Sequence, residues 1–318
     1  MKKELKKIAT MALLMLLCLA MLAGCNNSPA NNSTDEPDNT QEPANEPETS
    51  TETEEPNAVP KVMLVISFGT SYNDSRDITI GAIENALQAA YPDYEVRRAF
   101  TSQIIIDILE ERENLDIDNV TEAMERLIAD GVQEVIVQPT HVIRGFEFDD
   151  IVDEVSEYAD KFASLKIGDP LLSSDEDYTR VIDAITSETA TYNQDGTAIV
   201  FMGHGTHHDA NATYGRLQDL LLEAGHSNYF VGTVEGAPLI EDVIPLIEGI
   251  GATKVVLLPL MVVAGDHANN DMAGDEEDSW KSILEAEGYE VEPILSGLGQ
   301  YAAIHQIYID HAAVTMAQ

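Results

Sequence analysis

Short, uninterrupted apolar runs recur along the chain and alternate with amphipathic stretches of helical spacing. A continuous apolar run of about four to seven residues indicates a strand buried on both faces, which is typical of parallel sheets. Strands are predicted at 62–67, 94–100, 134–138, 165–168, 198–202, 229–233, 255–260 and 290–294. Helices are predicted at 75–90, 102–112, 118–130, 148–162, 176–191, 211–224, 239–250, 276–287 and 301–313. The alternation predicts βαβ units and an α/β fold with αβα layers.

The two halves of this pattern resemble each other. The segment LVISFGTS at 64–71 matches IVFMGHGTH at 199–207, and EVIVQPTHVIRG at 134–145 matches KVVLLPLMVVAG at 254–265. The alternative is a chance similarity between generic βα units. Because duplicated α/β halves usually enclose a cleft, we predict two similar halves, 61–195 and 196–318, whose parallel sheets face a central cleft.

The first residues are typical of a processing segment rather than of the fold. A basic start with Lys2 and Lys3 precedes the apolar stretch 8–22, which is too short for a confident membrane span. The stretch ends in Leu-Ala-Gly before Cys25, which resembles a bacterial lipobox. We therefore predict a lipoprotein signal peptide over 1–24 and lipidation of Cys25. The alternative, an uncleaved anchor, equally places the chain outside the cytoplasm and on a membrane.

The segment that follows Cys25, up to residue 60, has the composition of a spacer. It contains six prolines and nine acidic residues and has no Lys or Arg. Such a segment cannot bury enough apolar surface to offset its chain entropy. We predict a disordered, extended linker that holds the domain away from the membrane.

Charge and cysteine content exclude several classes of function. The formal charge of −40 is strongly repulsive toward nucleic acid and anionic lipid head groups, so the membrane is expected as a partner only through the lipid anchor. Cysteine occurs only at Cys18 and Cys25, which leaves the domain without a disulfide, a thiol nucleophile or a thiolate metal site. No P-loop, GxSxG or CxxC pattern occurs, and no GxGxxG follows a strand.

Three polar residues follow the ends of predicted strands in the second half. His204 lies in GHGT, Glu235 in TVEG and His267 in AGDHANND. Ligands bind outside the carboxyl ends of strands in open parallel sheets. Imidazole and carboxylate suit Zn, Co, Ni and Fe, so the three residues together predict a divalent-metal site.

Each of these residues also has an ordinary structural explanation. His204 is compatible with a buried histidine, although flanking glycines favour close approach by a ligand. Glu235 fits the first turn of the next helix, where the helix dipole favours an acid. His267 fits a surface histidine paired with Asp266 or Asp271.

Further candidates lie in the matching loops. His207 and His208 with Asp209 form either a second metal site or a helix start with Asp209 as its cap, and we favour the cap. In the first half, Thr70 and Ser71 either hydrogen-bond a carboxylate of a ligand or cap the next helix. The residues predicted to line a substrate are Phe68, Gly69, Thr70, Ser71, His141 and Met261.

The motifs SFGTS, FMGHGT, VEG and PLMVVAGDHANNDM together resemble the anaerobic sirohydrochlorin cobaltochelatases, which are related in fold to ferrochelatase. The resemblance implies two ferrochelatase-like halves with the tetrapyrrole in the cleft between them. It also implies that His204, Glu235 and His267 bind the incoming Co²⁺ and that His204, helped by Glu235, accepts protons from the pyrrole nitrogens. Neither an organic cofactor nor ATP is expected for this single-subunit type.

We therefore predict a lipid-anchored extracytoplasmic enzyme that inserts Co²⁺ into sirohydrochlorin or a related tetrapyrrole, with Fe²⁺ or Ni²⁺ as alternative metals. The export signal departs from the family, because cobalamin synthesis belongs in the cytoplasm. Two rival functions remain: a haem-, corrinoid- or metal-capturing lipoprotein without turnover, and a metal-assisted hydrolase. A homo-oligomer is compatible with the sequence.

Overall fold

Two parallel four-stranded sheets organise the part of the chain that the computed structural model describes, residues 60–318. The strands are β1 Lys61–Ser67, β2 Glu95–Phe100, β3 Glu134–Pro139, β4 Ser164–Ile167, β5 Thr197–Gly203, β6 Tyr229–Thr233, β7 Lys254–Pro259 and β8 Glu290–Pro293. The first sheet has the order β2-β1-β3-β4 and the second has β6-β5-β7-β8. Both sheets therefore share one strand order, and the predicted α/β fold with two parallel-sheet halves is confirmed.

The helices of the described residues connect these strands. They are α1 Asn73–Ile78, α2 Ile80–Ala90, α3 Gln103–Glu113, α4 Val120–Ala129, α5 Phe146–Ser156, α6 Asp175–Glu188, α7 Ala212–Glu223, α8 Ile240–Gly249, α9 Trp280–Ala286 and α10 Ala302–Ala317. A π-helical turn, Ala268–Met272, lies between β7 and α9, where the sequence predicted a loop. Helix starts follow local capping, as at α4, where Asn119 and Glu122 form a capping box.

The strand register equates positions in the two halves. Ile66 of β1 pairs with Pro139 of β3, and Met202 of β5 pairs with Pro259 of β7. In both sheets the partner strand ends at the proline, which lacks the N–H that a longer ladder would need. The register therefore places Phe68 at the position that His204 occupies in the other half.

One hydrophobic core spans both sheets. It includes Met63 of β1, Phe201 of β5 and Tyr308 of α10, all fully buried. The C-terminal helix α10 follows the second sheet in sequence, yet it packs against α2, α6 and β3 of the first half. The Tyr308 hydroxyl donates a hydrogen bond to the Thr140 carbonyl, 2.7 Å away. The helix thereby supports the loop that leaves β3.

Loops that follow strands of the two sheets contact each other. Ser75 Oγ of α1 accepts a hydrogen bond from the Ala264 N–H at 3.1 Å. The Phe146 ring at the start of α5 makes an edge contact with His208, 4.8 Å between centroids. The predicted signal peptide, lipidated Cys25 and linker lie outside the described residues, and the domain boundary at 195/196 stays a prediction. Among the described helices, none has the length and apolar character needed to cross a bilayer.

Candidate metal centre

His204 follows β5 directly and presents one ring nitrogen for a ligand. Its Nδ1 lies 2.8 Å from the Gly205 carbonyl oxygen. Because a carbonyl only accepts hydrogen bonds, Nδ1 carries the proton and the Nε2 lone pair remains available. The ring is half-buried, which leaves one side of it accessible.

His267 lies at the start of the π-helical turn and is oriented in the same way. Its Nδ1 donates a hydrogen bond to Asp271 Oδ2, 2.6 Å away and four residues further along the turn. The imidazoles of His204 and His267 are in edge contact, with centroids 4.8 Å apart and planes at 81°. Of the two predicted partners, the structure selects Asp271 rather than Asp266. Two half-buried imidazoles with free Nε2 lone pairs therefore meet at the carboxyl ends of β5 and β7.

The backbone of Glu235 runs beside His204. The Glu235 N–H donates a hydrogen bond to the His204 carbonyl at 2.7 Å. Gly205 has φ +80°, and a Cβ at this position would lie 1.7 Å from the Glu235 carbonyl oxygen, so only glycine allows this approach. Asn211 joins the two loops, because its amide accepts from the Thr206 N–H and donates to the Ala237 carbonyl.

The Glu235 side chain itself is exposed, and among residues 60–318 no hydrogen bond or ion pair engages its carboxylate. Within the same range, no group of three His, Cys, Asp or Glu side chains is placed so that it could hold a metal ion. The structure thus brings the two histidines together, whereas it places only the backbone of Glu235 beside His204. Its coordination of a metal stays a prediction.

The substrate-lining candidates of the first half occupy the matching positions at the end of β1. Phe68 is 45% exposed, whereas Gly69 and Thr70 are buried. Thr70 Oγ1 accepts a hydrogen bond from the Tyr72 N–H at 3.2 Å, which closes a local turn before α1. The N-cap of α1 is Tyr72 and no side chain caps the helix, so neither Thr70 nor Ser71 has the predicted capping role. The Ser71 carbonyl accepts from Arg112 of α3. Phe68 is thus the member of this group whose side chain is most open to a ligand.

His141 and Met261 occupy equivalent positions after β3 and β7. The His141 carbonyl accepts from the Leu171 N–H and the Met261 carbonyl from the Leu298 N–H, both at 2.9 Å. Met261 packs against the hydrophobic core of the second half. His141 has a side chain only 9% exposed, and neither of its ring nitrogens has a hydrogen-bond partner among the described residues.

The loop after His204 corrects one prediction. The short 3-10 helix Asp209–Asn211 is capped by His208, whose Nδ1 accepts from the Ala210 N–H at 3.0 Å. The predicted cap, Asp209, is the first residue of that helix instead. Since Nδ1 accepts, Nε2 carries the proton and faces Asp149 Oδ2 of α5, 3.3 Å away. His208 therefore contacts the first half across the cleft.

Sequence reasoning missed two residues near the centre. Tyr214 of α7 is buried, and its hydroxyl accepts a hydrogen bond from the Gly205 N–H at 3.3 Å. Burial raises the pKa of Tyr214, the hydrogen bond from Gly205 lowers it, and the negative charge of Glu147 raises it further, with a net increase. Glu147, in the first turn of α5, is therefore close enough to act on a residue that supports His204. Extending the match between 134–145 and 254–265 by two residues would have placed Glu147 opposite His267.

The family model for cobalt chelatase (CbiK) matches residues 61–317 of the chain. A sirohydrochlorin cobaltochelatase from Salmonella typhimurium is 43% identical over 251 residues, which cover 79% of this chain and 94% of that protein. A sirohydrochlorin cobaltochelatase from Nitratidesulfovibrio vulgaris is 32% identical over 259 residues, which cover 81% of this chain and 91% of that protein.

Solved structures show the same fold at low sequence identity. SirB from Bacillus subtilis with Fe³⁺ superposes with a TM-score of 0.56 at 16% identity, covering 81% of this chain and 96% of that one. A multi-domain protein from Deinococcus radiodurans with structural similarity to chelatases gives a TM-score of 0.51 at 15% identity, covering 80% and 55% of the two chains.

The family model and the two curated relatives show that this protein is a metallochelatase, and the solved structures share its fold. The chain belongs to the cobalt chelatase family.

Proposed function

We propose that this enzyme inserts Co²⁺ into sirohydrochlorin, with the metal taken up by His204 and His267. The observation that carries the proposal is the contact between two imidazoles whose Nδ1 atoms are both occupied, by the Gly205 carbonyl and by Asp271. Both relatives named above carry the name sirohydrochlorin cobaltochelatase. Fe²⁺ and Ni²⁺ are the alternative metals, since imidazole and carboxylate ligands suit them as well.

The proposed mechanism balances two protons against one divalent metal. Insertion of a divalent metal into a tetrapyrrole releases two N–H protons. As the metal leaves the protein, the Nε2 atom of His204 loses its ligand role and accepts one proton, and the exposed Glu235 carboxylate accepts the other. A site of two or three side chains, unlike a closed one of four, keeps positions open for the incoming nitrogens. The cleft contributes further by favouring a bent macrocycle that exposes its nitrogens.

Anaerobic incubation of the full chain with sirohydrochlorin and Co²⁺, followed by absorbance, tests the proposal. We expect His204→Ala to lower the insertion rate by about 10²–10⁴-fold, the usual contribution of a positioned acid–base group. His226→Ala serves as the matched control, because this half-buried histidine precedes β6 and stacks on Tyr229 at the opposite end of the sheet. Equal rates for the wild type and His204→Ala would refute the catalytic role. Binding of the metallated product without turnover would identify a capture protein instead.

We further propose that the enzyme acts outside the cytoplasm, attached to the membrane through a lipid on Cys25. The basic start, the apolar stretch 8–22 and the small residues before Cys25 support this location. The acidic, proline-rich segment to residue 60 then acts as a spacer. The substrate outside the cytoplasm is either sirohydrochlorin or a related tetrapyrrole. Competition between tetrapyrroles in the same assay distinguishes the two.

A further inference from the structure

A buried imidazole without a partner lies in the first half, outside the histidine pair. His141 follows β3, and its backbone is held on both sides: Tyr308 bonds the Thr140 carbonyl, and the Leu171 N–H bonds that of His141. The side chain is 9% exposed, and neither ring nitrogen is hydrogen-bonded. Leaving such a group unsatisfied is unfavourable, so a rigid position of this kind indicates a ligand.

A carboxylate lies beside the His141 ring. Glu147 Oε2 lies 3.1 Å from His141 Nε2, but the direction is unsuitable for a hydrogen bond. Ligand atoms that bind one cation at about 2.0–2.2 Å from adjacent positions are themselves about 3 Å apart. A nitrogen and an oxygen that are close but not hydrogen-bonded to each other therefore have the spacing of two ligands of one divalent cation.

An acidic cavity reaches Glu147 of this pair, whereas His141 does not line it. A cavity of about 820 Å³ is lined by Glu147 together with Phe68, Thr101 and residues of α4 and α5. Its other carboxylates are Asp150, Asp153, Glu154 and Glu157, and no Lys, Arg or His lines it. Thr101 Oγ1 is also buried without a partner. The negative potential of such a cavity raises the local concentration of cations.

Glu147 of this pair matches a member of the histidine pair His204–His267 in the other half. The matching of the two halves places Glu147 at the position of His267 and Phe68 at that of His204. The first turn of α5 reaches the loop after His204 through the contact of Asp149 with His208. The negative charge of Glu147 acts on Tyr214, which bonds the Gly205 N–H.

We propose that His141 Nε2 and Glu147 Oε2 form a loading site, which takes a divalent cation from the acidic cavity before the cation reaches His204 and His267. That this cation is the metal to be inserted rests on the proposed function. Two protein ligands leave the remaining positions to water, so the metal is bound weakly enough to move on. The His141–Glu147 site has a carboxylate where the pair His204–His267 has a second imidazole. Its affinity for the divalent cation is therefore lower than that of the histidine pair.

Co²⁺ binding without any tetrapyrrole tests the loading site separately from insertion. The full chain carrying His204→Ala and His267→Ala is titrated with Co²⁺ alone by calorimetry and by visible absorbance. We expect one weak Co²⁺ site to remain in this double variant. Adding His141→Gln or Glu147→Gln removes that site, whereas adding His226→Ala leaves it intact. The proposal is overturned when the double variant binds no Co²⁺, or when the remaining Co²⁺ is insensitive to both glutamine substitutions.

A kinetic measurement on the otherwise unchanged chain gives the second criterion. His141→Gln is expected to raise the KM for Co²⁺ by at least about tenfold, the loss seen when even an outer partner of a metal ligand is removed. The KM for sirohydrochlorin stays unchanged, because His141 is buried behind Glu147. A rise in the tetrapyrrole KM with an unchanged KM for Co²⁺ would instead make His141 a substrate contact and refute the loading role. Circular dichroism of each variant confirms that the fold is retained.

Discussion

A histidine binds a metal through one ring nitrogen, so the partner of the other nitrogen determines how strongly it binds. His267 donates from Nδ1 to a carboxylate, Asp271, whereas His204 donates to the neutral carbonyl of Gly205. A carboxylate partner makes the imidazole a stronger electron donor than a carbonyl partner does. We infer that His267 is the more persistent ligand of the pair. His204 is then better suited to exchange its metal for a pyrrole proton.

The partner of His267 supplies a prediction at this scale. Replacing Asp271 with Asn removes the charge that orients and polarises the imidazole, while the side-chain volume stays nearly the same. We expect Asp271→Asn to raise the KM for Co²⁺ by about 10–100-fold, the usual cost of losing such a partner. Initial rates of cobalt insertion at varied Co²⁺ and saturating sirohydrochlorin measure this change.

Asp266 provides the matched control for Asp271. It lies in the same loop and is exposed, and it accepts a hydrogen bond from Asn270 rather than from a histidine. Asp266→Asn should leave the KM for Co²⁺ unchanged. If both substitutions raise the KM for Co²⁺ equally, the change reflects only the loss of a negative charge from the loop, and Asp271 has no special role.

Single residues also show where sequence reasoning is limited. The glycines beside His204 and the strand ends before Glu235 and His267 predict a site from sequence alone, because these signals are local. The choice between Asp266 and Asp271 needed the π-helical turn, which brings Asp271 to His267 Nδ1. That the His141 ring lacks a hydrogen-bond partner depends on the position of Glu147 and on packing by α10. No local sequence pattern reveals either of these.

At the scale of elements, the strands were predicted more accurately than the helices. Buried parallel strands are continuous apolar runs, so all eight strands of the described residues lie within about two residues of their predicted positions. The predicted helix 75–90 is instead divided at Thr79, whose Oγ1 bonds the Ser75 carbonyl and whose φ and ψ are −115° and −80°. The predicted helix 276–287 begins only at Trp280, because Ser279 caps it.

The contact between α6 and α10 supports a prediction about acid stability. Asp177 of α6 is buried and lies 2.9 Å from His311 Nε2 of α10. Burial raises the pKa of Asp177, but hydrogen bonds from His311 and Ser174 outweigh burial and hold the pKa below its usual range. A carboxyl with a lowered pKa stabilises the fold above its unfolded-state pKa of about 3.9, and this stability is lost as the pH falls through the folded value.

We therefore expect Asp177→Asn to lower the free energy of unfolding by about 1–3 kcal/mol at neutral pH. The difference from the wild type should shrink as the pH falls below about 3.9, where the wild-type carboxyl becomes protonated as well. Urea unfolding across this pH range measures it. The exposed Asp195, in the turn before β5, gives the control Asp195→Asn, which should cost little at any pH. If Asp177→Asn lowers the free energy of unfolding by the same amount at every pH, stability does not depend on the protonation of Asp177 in this way.

At the scale of the whole molecule, the last helix of the second half forms part of the packing of the first half. Helix α10 carries apolar residues on several sides, but only one face is buried, with Ile304, Tyr308 and Ala312 fully buried and Val314 exposed on the other side. It packs on the first sheet although it follows the second in sequence. The sequence predicted the helix but not its location, because its periodicity identifies no particular partner. The crossing of α10 is also what fixes the loop of His141.

The proposed attachment of this domain to a membrane is the prediction that most affects where it can act. The signal-like segment contains two cysteines, Cys18 within the apolar stretch and Cys25 after the small residues, and only Cys25 is at the position of a lipidated residue. Each of the two offers a matched control for the other.

We expect the full chain expressed in a bacterium to incorporate labelled palmitate in the wild type and in Cys18→Ala, but not in Cys25→Ala. The label should partition with the detergent phase, and the mass of the labelled chain should correspond to a start at Cys25. Cobalt insertion by the domain should be the same in all three, since neither cysteine is among the residues proposed to bind the metal. Palmitate labelling that survives in Cys25→Ala would contradict the lipid anchor. A membrane-bound chain that retains residues 1–24 and carries no label would identify the uncleaved anchor instead. The expected location would be the same, because either form of attachment would hold the domain outside the cytoplasm.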